Sequence, residues 1–148
     1  MNMEAVVNKK ARFDYEIKET LEAGIELRGF EVKSIKTGKA RLQGAYAKIY
    51  GEELWLVNSH IPPFQEKNAP EGYDSDKARR LLVHKREIDY LTGKLKERGL
   101  TLVPLKMYNK GGQIKIQLGL GRSKKKADKR AVIKKRDTER QIGRKLKR

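Results

Sequence analysis

The sequence predicts a mainly β chain of the α+β class, and three observations carry that prediction. Apolar and polar residues alternate in several short segments, the period-2 pattern of half-buried strands. Two pairs of such segments are joined through glycine-centred turns, as hairpins are. Only one long stretch, near the middle of the chain, carries helical spacing instead. At 148 residues the chain is expected to form one domain with room for an extension.

The first strand is expected around Tyr15, Ile17 and Leu21, which alternate with Asp14, Glu16, Lys18, Thr20 and Glu22. Ala23-Gly24 is expected to bend it, and Ile25-Glu26-Leu27 to resume the alternation. A short helix follows over Phe30 to Lys36, closed by Gly38. Ala45 to Tyr50 and Leu54 to Val57 flank Gly51-Glu52-Glu53 and read as a hairpin. Residues 58–75 hold Pro62, Pro63, Pro70 and Gly72, so they read as a loop.

Asp74 or Ser75 is then expected to cap a helix running to Gly99, because Leu81, His84, Ile88, Leu91 and Leu95 recur at spacings of three and four. That helix either continues through His84 or breaks there, with Glu87 as box partner to a His84 cap. Leu100 to Tyr108 and Gln113 to Leu120 form a second hairpin around Lys110-Gly111-Gly112. Gly119-Leu120-Gly121 reads as the exit from its second strand. Short antiparallel strands interrupted by one helical segment suit a small barrel, such as the oligonucleotide-binding type.

Charge divides the chain. Lysine and arginine number 36 against 19 acidic residues, a net charge of +17. Residues 122–148 hold 14 basic and three acidic side chains, while the first 121 hold 22 and 16. The expected organisation is therefore a mildly basic, oligonucleotide-binding-like barrel over 1–121 and a basic tail over 122–148, disordered when free and helical on an anionic surface. A charge this large favours nucleic acid as partner. A membrane-surface helix would need a stripe of Trp, Phe or Leu, and Leu146 is the tail's only such residue. No apolar run approaches the roughly 20 residues that span a bilayer, and the first five residues carry no apolar signal segment. A cytoplasmic chain that does not contact membrane is the expectation.

Catalytic patterns are absent from the sequence. With no cysteine, disulfides, thiolate zinc sites and thiol nucleophiles are excluded. His60 and His84 lack metal-ligand spacing, and neither a phosphate-binding loop nor a nucleophile elbow occurs. No enzyme activity, cofactor or metal is expected. Tyr46, Tyr50, Trp55, Tyr73, Tyr90 and Tyr108 are candidates for base stacking, against packing in the core or its rim. From composition alone, a ribosomal or general RNA-binding protein fits as well as any more specialised one.

Several blocks narrow this choice. Asn8-Lys9-Lys10-Ala11-Arg12-Phe13-Asp14-Tyr15-Glu16-Ile17, Glu22-Ala23-Gly24-Ile25 and Gly29-Phe30-Glu31-Val32-Lys33-Ser34-Ile35 come first. Leu81-Leu82-Val83-His84-Lys85-Arg86-Glu87-Ile88, Pro104-Leu105-Lys106-Met107-Tyr108 and Lys124-Lys125-Lys126-Ala127-Asp128-Lys129-Arg130 follow in order. Together they resemble the SsrA-binding protein family, small protein B, over residues 8 to about 136.

The resemblance implies an oligonucleotide-binding-like barrel with flanking helices. It implies an adaptor that binds the tRNA-like domain of transfer-messenger RNA and brings it to bacterial ribosomes stalled on broken messages, where translation resumes on the RNA's own tag-coding frame. Alanyl-tRNA synthetase and elongation factor Tu enter indirectly, by charging and delivering that RNA. The family's body stands in for the missing anticodon arm, and its tail occupies the empty mRNA channel beside the decoding centre of the small subunit. Residue by residue, Glu22 and Lys115 match RNA-facing strand positions, and Leu82 and His84 match a helix patch that packs on the RNA. Asn8, Lys9, Lys10, Lys33 and Arg86 are candidates for phosphate contact. Lys124, Lys125, Lys126, Lys129, Arg130, Ile133, Lys134 and Arg136 fall on the ribosome-contacting tail. Two positions and one stretch depart from the family's pattern. Ala127 stands where the family usually has tyrosine or histidine, Asn109 replaces a common aromatic, and Val132 to Arg136 keeps part of an Asp-Ile-Lys-Glu-Arg-type stretch.

Overall fold

The computed structural model describes residues 3–124. Seven strands and three helices follow one another as β1 (Met3–Val7), α1 (Lys9–Asp14), β2 (Tyr15–Ile25), α2 (Gly29–Lys36), β3 (Tyr46–Tyr50), β4 (Glu53–Val57), β5 (Arg79–Leu82), α3 (Lys85–Leu95), β6 (Leu100–Lys110) and β7 (Gln113–Ser123). The mainly β expectation holds, with every strand pair antiparallel. In space the order is β1-β6-β3-β4-β5-β2-β7, and β7 also pairs with β6. The pairing therefore runs from β6 through β3, β4, β5, β2 and β7 back to β6. One edge of β6 is shared, with β3 meeting Leu102 and β1 covering Lys106 to Asn109.

Both expected hairpins form. Gly51 and Glu52 each have positive φ, 59° and 61°, and join Tyr50 to its partner Glu53. Two consecutive left-handed residues twist in the same sense as the strands they connect. Gly111 and Gly112 do the same between Lys110 and Gln113. Alternation then sends Ala47, Leu54, Leu56, Leu81, Leu102, Ile116 and Leu118 inward, all buried in one cluster. Leu91 of α3 and Ile35 of α2 add to it. Each such side chain contributes roughly 1.5–3 kcal/mol by leaving water.

The structure corrects the sequence reading at several points. The helix expected from residue 74 or 75 to Gly99 is shorter. Arg79–Leu82 is a strand that pairs with β4 on one side and β2 on the other, and α3 begins only after His84. Leu81 faces the core as a strand residue, so its helical spacing to His84 was coincidental. β2 continues without a break through Ala23-Gly24 to Ile25, and its register against β7 shifts between Ile17 and Glu19. Gly119-Leu120-Gly121 is not a strand exit, because β7 continues past the 121/122 boundary to Ser123, paired with β2 and β6. At Gly121 a Cβ would lie 2.4 Å from the Glu16 carbonyl oxygen, so glycine there permits the close approach of β2. β1 and α1 were not anticipated.

The loop expected over 58–75 forms and extends to residue 78, where β5 follows in place of the expected helix, with one turn of 3-10 helix at Glu66–Asn68. A buried ion pair anchors it. Arg79 Nε donates to Glu31 Oε2 at 2.9 Å, Arg79 Nη1 donates to Ser59 Oγ at 3.0 Å, and Nη2 donates to the Tyr73 hydroxyl at 2.9 Å and the Ser75 carbonyl at 3.0 Å. Glu31 Oε1 also accepts from the Arg28 backbone N–H at 2.9 Å. Burial pushes the Glu31 carboxyl up, but the Arg28 N–H, Arg79 and Tyr73 outweigh it and hold the group below the usual carboxylate range. The Tyr73 ring stands edge-on to Phe30, with centroids 4.9 Å apart.

Candidate nucleic-acid interface

Four strand positions in register build the site. Leu82 of β5 lies opposite Gly24 of β2, Gly24 opposite Lys115 of β7, and Lys115 opposite Tyr108 of β6. Side chains at paired positions share a face of the sheet, and so do residues two apart on one strand. Glu22 therefore shares this face, one row along. Because Gly24 has no side chain, the row has a gap between Leu82 and Lys115. A Cβ there would press on Leu82 Cβ at 3.2 Å. His84 and Glu87 close one side, and the result is a cleft of about 360 Å3.

The cleft combines three chemistries. Leu82 is an apolar surface, 45% exposed although leucine is usually buried. Lys115 is a half-buried cation. Glu22 is a carboxylate whose side chain is 38% exposed. Tyr108 donates its hydroxyl hydrogen to Glu22 Oε2, and Lys110 Nζ lies 3.2 Å from Oε1 and 3.3 Å from Oε2. The Tyr108 hydrogen bond, joined by Lys110 and by the field of Lys115, holds the Glu22 carboxyl below its usual range despite some burial. At neutral pH the cleft thus offers an ionised acceptor between a cation and an apolar ledge.

The sequence-derived positions sort themselves around it. Glu22, Leu82, His84 and Lys115 all line the cleft. Leu82 does so from a strand and not from the expected helix patch. His84 caps α3, and its N–H donates to Glu87 Oε1 at 3.0 Å, as the box reading expected. Arg86 lies exposed in the first turn of α3. Asn8 requires a correction. It is buried, Nδ2 donates to the Leu42 and Pro104 carbonyls at 3.2 and 2.9 Å, and Oδ1 accepts from Ala11 N–H. Its amide is spent on the chain's own backbone as the cap of α1, so it does not reach a phosphate.

Lys9 and Lys10 are exposed on α1, away from the cleft. Lys10 borders a separate groove of about 770 Å3 with Tyr15, Arg41, Tyr46 and His60. That groove sits at the Tyr15 end of β2, seven residues from Glu22, a span of roughly 23 Å at the strand rise. Lys33 is exposed on α2 and does not line the cleft. Lys124 is tied to the end of α1, with its N–H donating to the Asp14 carbonyl at 2.8 Å and its Nζ to the Arg12 carbonyl at 3.2 Å. Lys125, Lys126, Ala127, Lys129, Arg130, Ile133, Lys134 and Arg136 lie outside the described residues.

Sequence reasoning missed Lys110 altogether and placed Tyr108 only among stacking candidates. Tyr108 is 86 positions from Glu22. The one available signal was the alternation of β6, which puts Tyr108 on the face opposite Met107. Among the described residues no group of three or more His, Asp or Glu is placed to hold a metal ion, and no helix is long and apolar enough to cross a membrane.

A family model described as SmpB protein matches residues 5–148. The chain belongs to that family. It is 53% identical over 139 residues to an SsrA-binding protein of Chlorobaculum tepidum, covering 93% of this chain and 88% of the relative. It is 51% identical over 141 residues to an SsrA-binding protein of Synechococcus elongatus, covering 95% and 92%. A solved chain from "tmRNA-SmpB: a journey to the center of the bacterial ribosome" is 48% identical and superposes with a TM-score of 0.67 over 81% of this chain and 84% of its own.

Proposed function

We propose that the chain is a non-enzymatic adaptor that binds the tRNA-like domain of transfer-messenger RNA and brings it to stalled bacterial ribosomes for trans-translation. The observation that carries this reading is the match across residues 5–148 to the SmpB family, whose named relatives bind SsrA RNA. The cleft supplies a physical basis. Glu22 accepts hydrogen bonds from base amino groups or 2′-hydroxyls, Lys115 meets a phosphate, and Leu82 packs on a base or ribose. A carboxylate placed among cations selects for donors, which bulk phosphate attraction does not.

The ring of strand pairings fits an oligonucleotide-binding-like barrel. Alanyl-tRNA synthetase and elongation factor Tu act on the RNA and not on this chain's cleft. Residues beyond Lys124 reach the decoding centre and mRNA channel of the small subunit through their cations, and the protein works in the cytoplasm.

The test is binding to the isolated tRNA-like domain with bulk tRNA as competitor. Lys115→Ala should weaken binding and flatten the dependence of log K on log salt by about 0.7–0.9. Glu22→Ala should weaken it too, although it makes the protein more positive. Tighter binding by Glu22→Ala would instead support a general RNA-binding protein that only neutralises phosphate. A truncation after Lys124, which leaves β7 whole, should keep selective binding and lose tagging of stalled chains.

A further inference from the structure

We propose that Tyr108 is the positioning residue of this interface: its hydroxyl fixes the Glu22 carboxylate in orientation as the acceptor that meets the RNA. The inference rests on the reading of the cleft given above and concerns a residue that does not itself line it.

The geometry is specific. A glutamate side chain turns about three bonds and, on an exposed strand, samples many rotamers. Tyr108 is rigid by comparison, and it is only 6% exposed. It sits in the same cross-strand row as Gly24 and Lys115, and Lys106 Nζ lies 5.7 Å from the centroid of its ring. A buried phenol at a fixed place gives Glu22 Oε2 one well-defined partner. Lys110, more exposed and longer, sits against both oxygens and cannot define one orientation by itself. An ionised carboxylate has about four lone-pair sites. With these two donors on the protein side, sites remain for the cleft.

Protonation follows the same arrangement. Burial first, then the hydrogen bond and charge of Glu22, push the Tyr108 hydroxyl above the ordinary tyrosine range, so it stays a donor throughout the working pH range. Glu22 in turn is held ionised, with Tyr108 the largest cause. The other charged or titratable groups facing it are Lys110 of β6, Lys115 of β7, and His84 and Glu87 around the start of α3. Phenylalanine at 108 would keep the ring and remove only the donor.

The experiment uses the full chain and the tRNA-like domain as probe. Tyr108→Phe should weaken binding several-fold at pH 7.5. The acid limb of its binding profile should move to higher pH, because Glu22 is then easier to protonate. In a Glu22→Gln background the same substitution should cost nothing further, and it should no longer move the binding profile. A side-chain carbon NMR titration of Glu22 in the free protein reads the hold directly, and Tyr108→Phe should raise its midpoint. A merely structural tyrosine would lower the melting temperature, leave that midpoint in place and add its cost in the Glu22→Gln background. That pattern would overturn the proposal. If Glu22→Gln binds the RNA normally while the midpoint still moves in Tyr108→Phe, the proposed RNA role of the cleft fails and the positioning of Glu22 stands.

Discussion

Two carboxylates in this protein are built from nearly the same parts and have different fates. Glu31 meets Arg79 and the Tyr73 hydroxyl, and Glu22 meets Lys110 and the Tyr108 hydroxyl. Both are held below the usual carboxylate range. The difference is exposure, 1% for the Glu31 side chain against 38% for Glu22. Buried Glu31 has Arg28, Tyr73 and Arg79 on its oxygens, so its capacity is used inside the fold, where it ties residues 58–78 to α2. Glu22 faces a cleft and keeps acceptor sites for a ligand. Arginine suits the first case, since its planar fork reaches Glu31, Ser59, Tyr73 and Ser75 at once. Lysine suits the second, where a mobile point charge neutralises without filling the site. A charged cluster is thus structural when its hydrogen bonds close within the protein, and available for recognition when they leave a side open.

The largest effect that could break this comparison is on stability. Arg79→Ala leaves the buried Glu31 carboxylate with only the more distant Lys77, whose Nζ lies 3.9 Å from Oε1, and removing one partner of a buried pair costs about 3–5 kcal/mol. Urea denaturation should show that loss, with the 58–78 loop becoming sensitive to protease. Normal stability in Arg79→Ala would mean that Glu31 is no more structural than Glu22.

Acid gives the next test. A carboxyl whose folded value lies below its unfolded value binds fewer protons in the folded state. The stability it confers is complete above the ordinary carboxylate range near pH 4.5 and is lost as pH falls through the depressed folded value. Melting temperature measured downward from pH 6 should therefore fall below about pH 4.5, and Glu31→Gln should show a lower plateau with a shallower fall. Glu22→Gln should change this curve little, since half-exposed ion pairs are screened.

The smallest expected effect sharpens the contrast most. Glu22→Gln should leave unfolding free energy within about 0.5 kcal/mol of wild type while weakening RNA binding. Leu82→Ala should behave the same way, because 45% of Leu82 is already in water. A large stability loss in either would place the cleft in the core's economy and not in recognition.

Local pattern alone determined much of this protein. Period-2 alternation located β2 and β7, because a strand with one face in the core must place apolar residues at every second position, and apolar segments flanking glycine turns located β3, β4 and β6 as hairpin arms. Gly51 and the pair Gly111-Gly112 located the tight turns, because left-handed backbone favours residues without a Cβ. The blocks around Glu22, Leu82 and His84 helped identify the family, and the resemblance then pointed to Lys115, the fourth of these lining residues of the cleft. Tertiary structure alone decided the rest. Arg79–Leu82 has a charged start and a spacing that also fits a helix, and it becomes a strand because β4 and β2 leave a vacant place between them. Asn8 looks like a surface polar residue until α1 packs beside Leu105 and its amide finds the Leu42 and Pro104 carbonyls. Gly121 is glycine because Glu16 passes 2.4 Å from where a Cβ would stand, and Tyr108 meets Glu22 across 86 positions of chain. These four outcomes depend on partners distant in sequence, and only closure of the sheet brings such partners within van der Waals or hydrogen-bond distance.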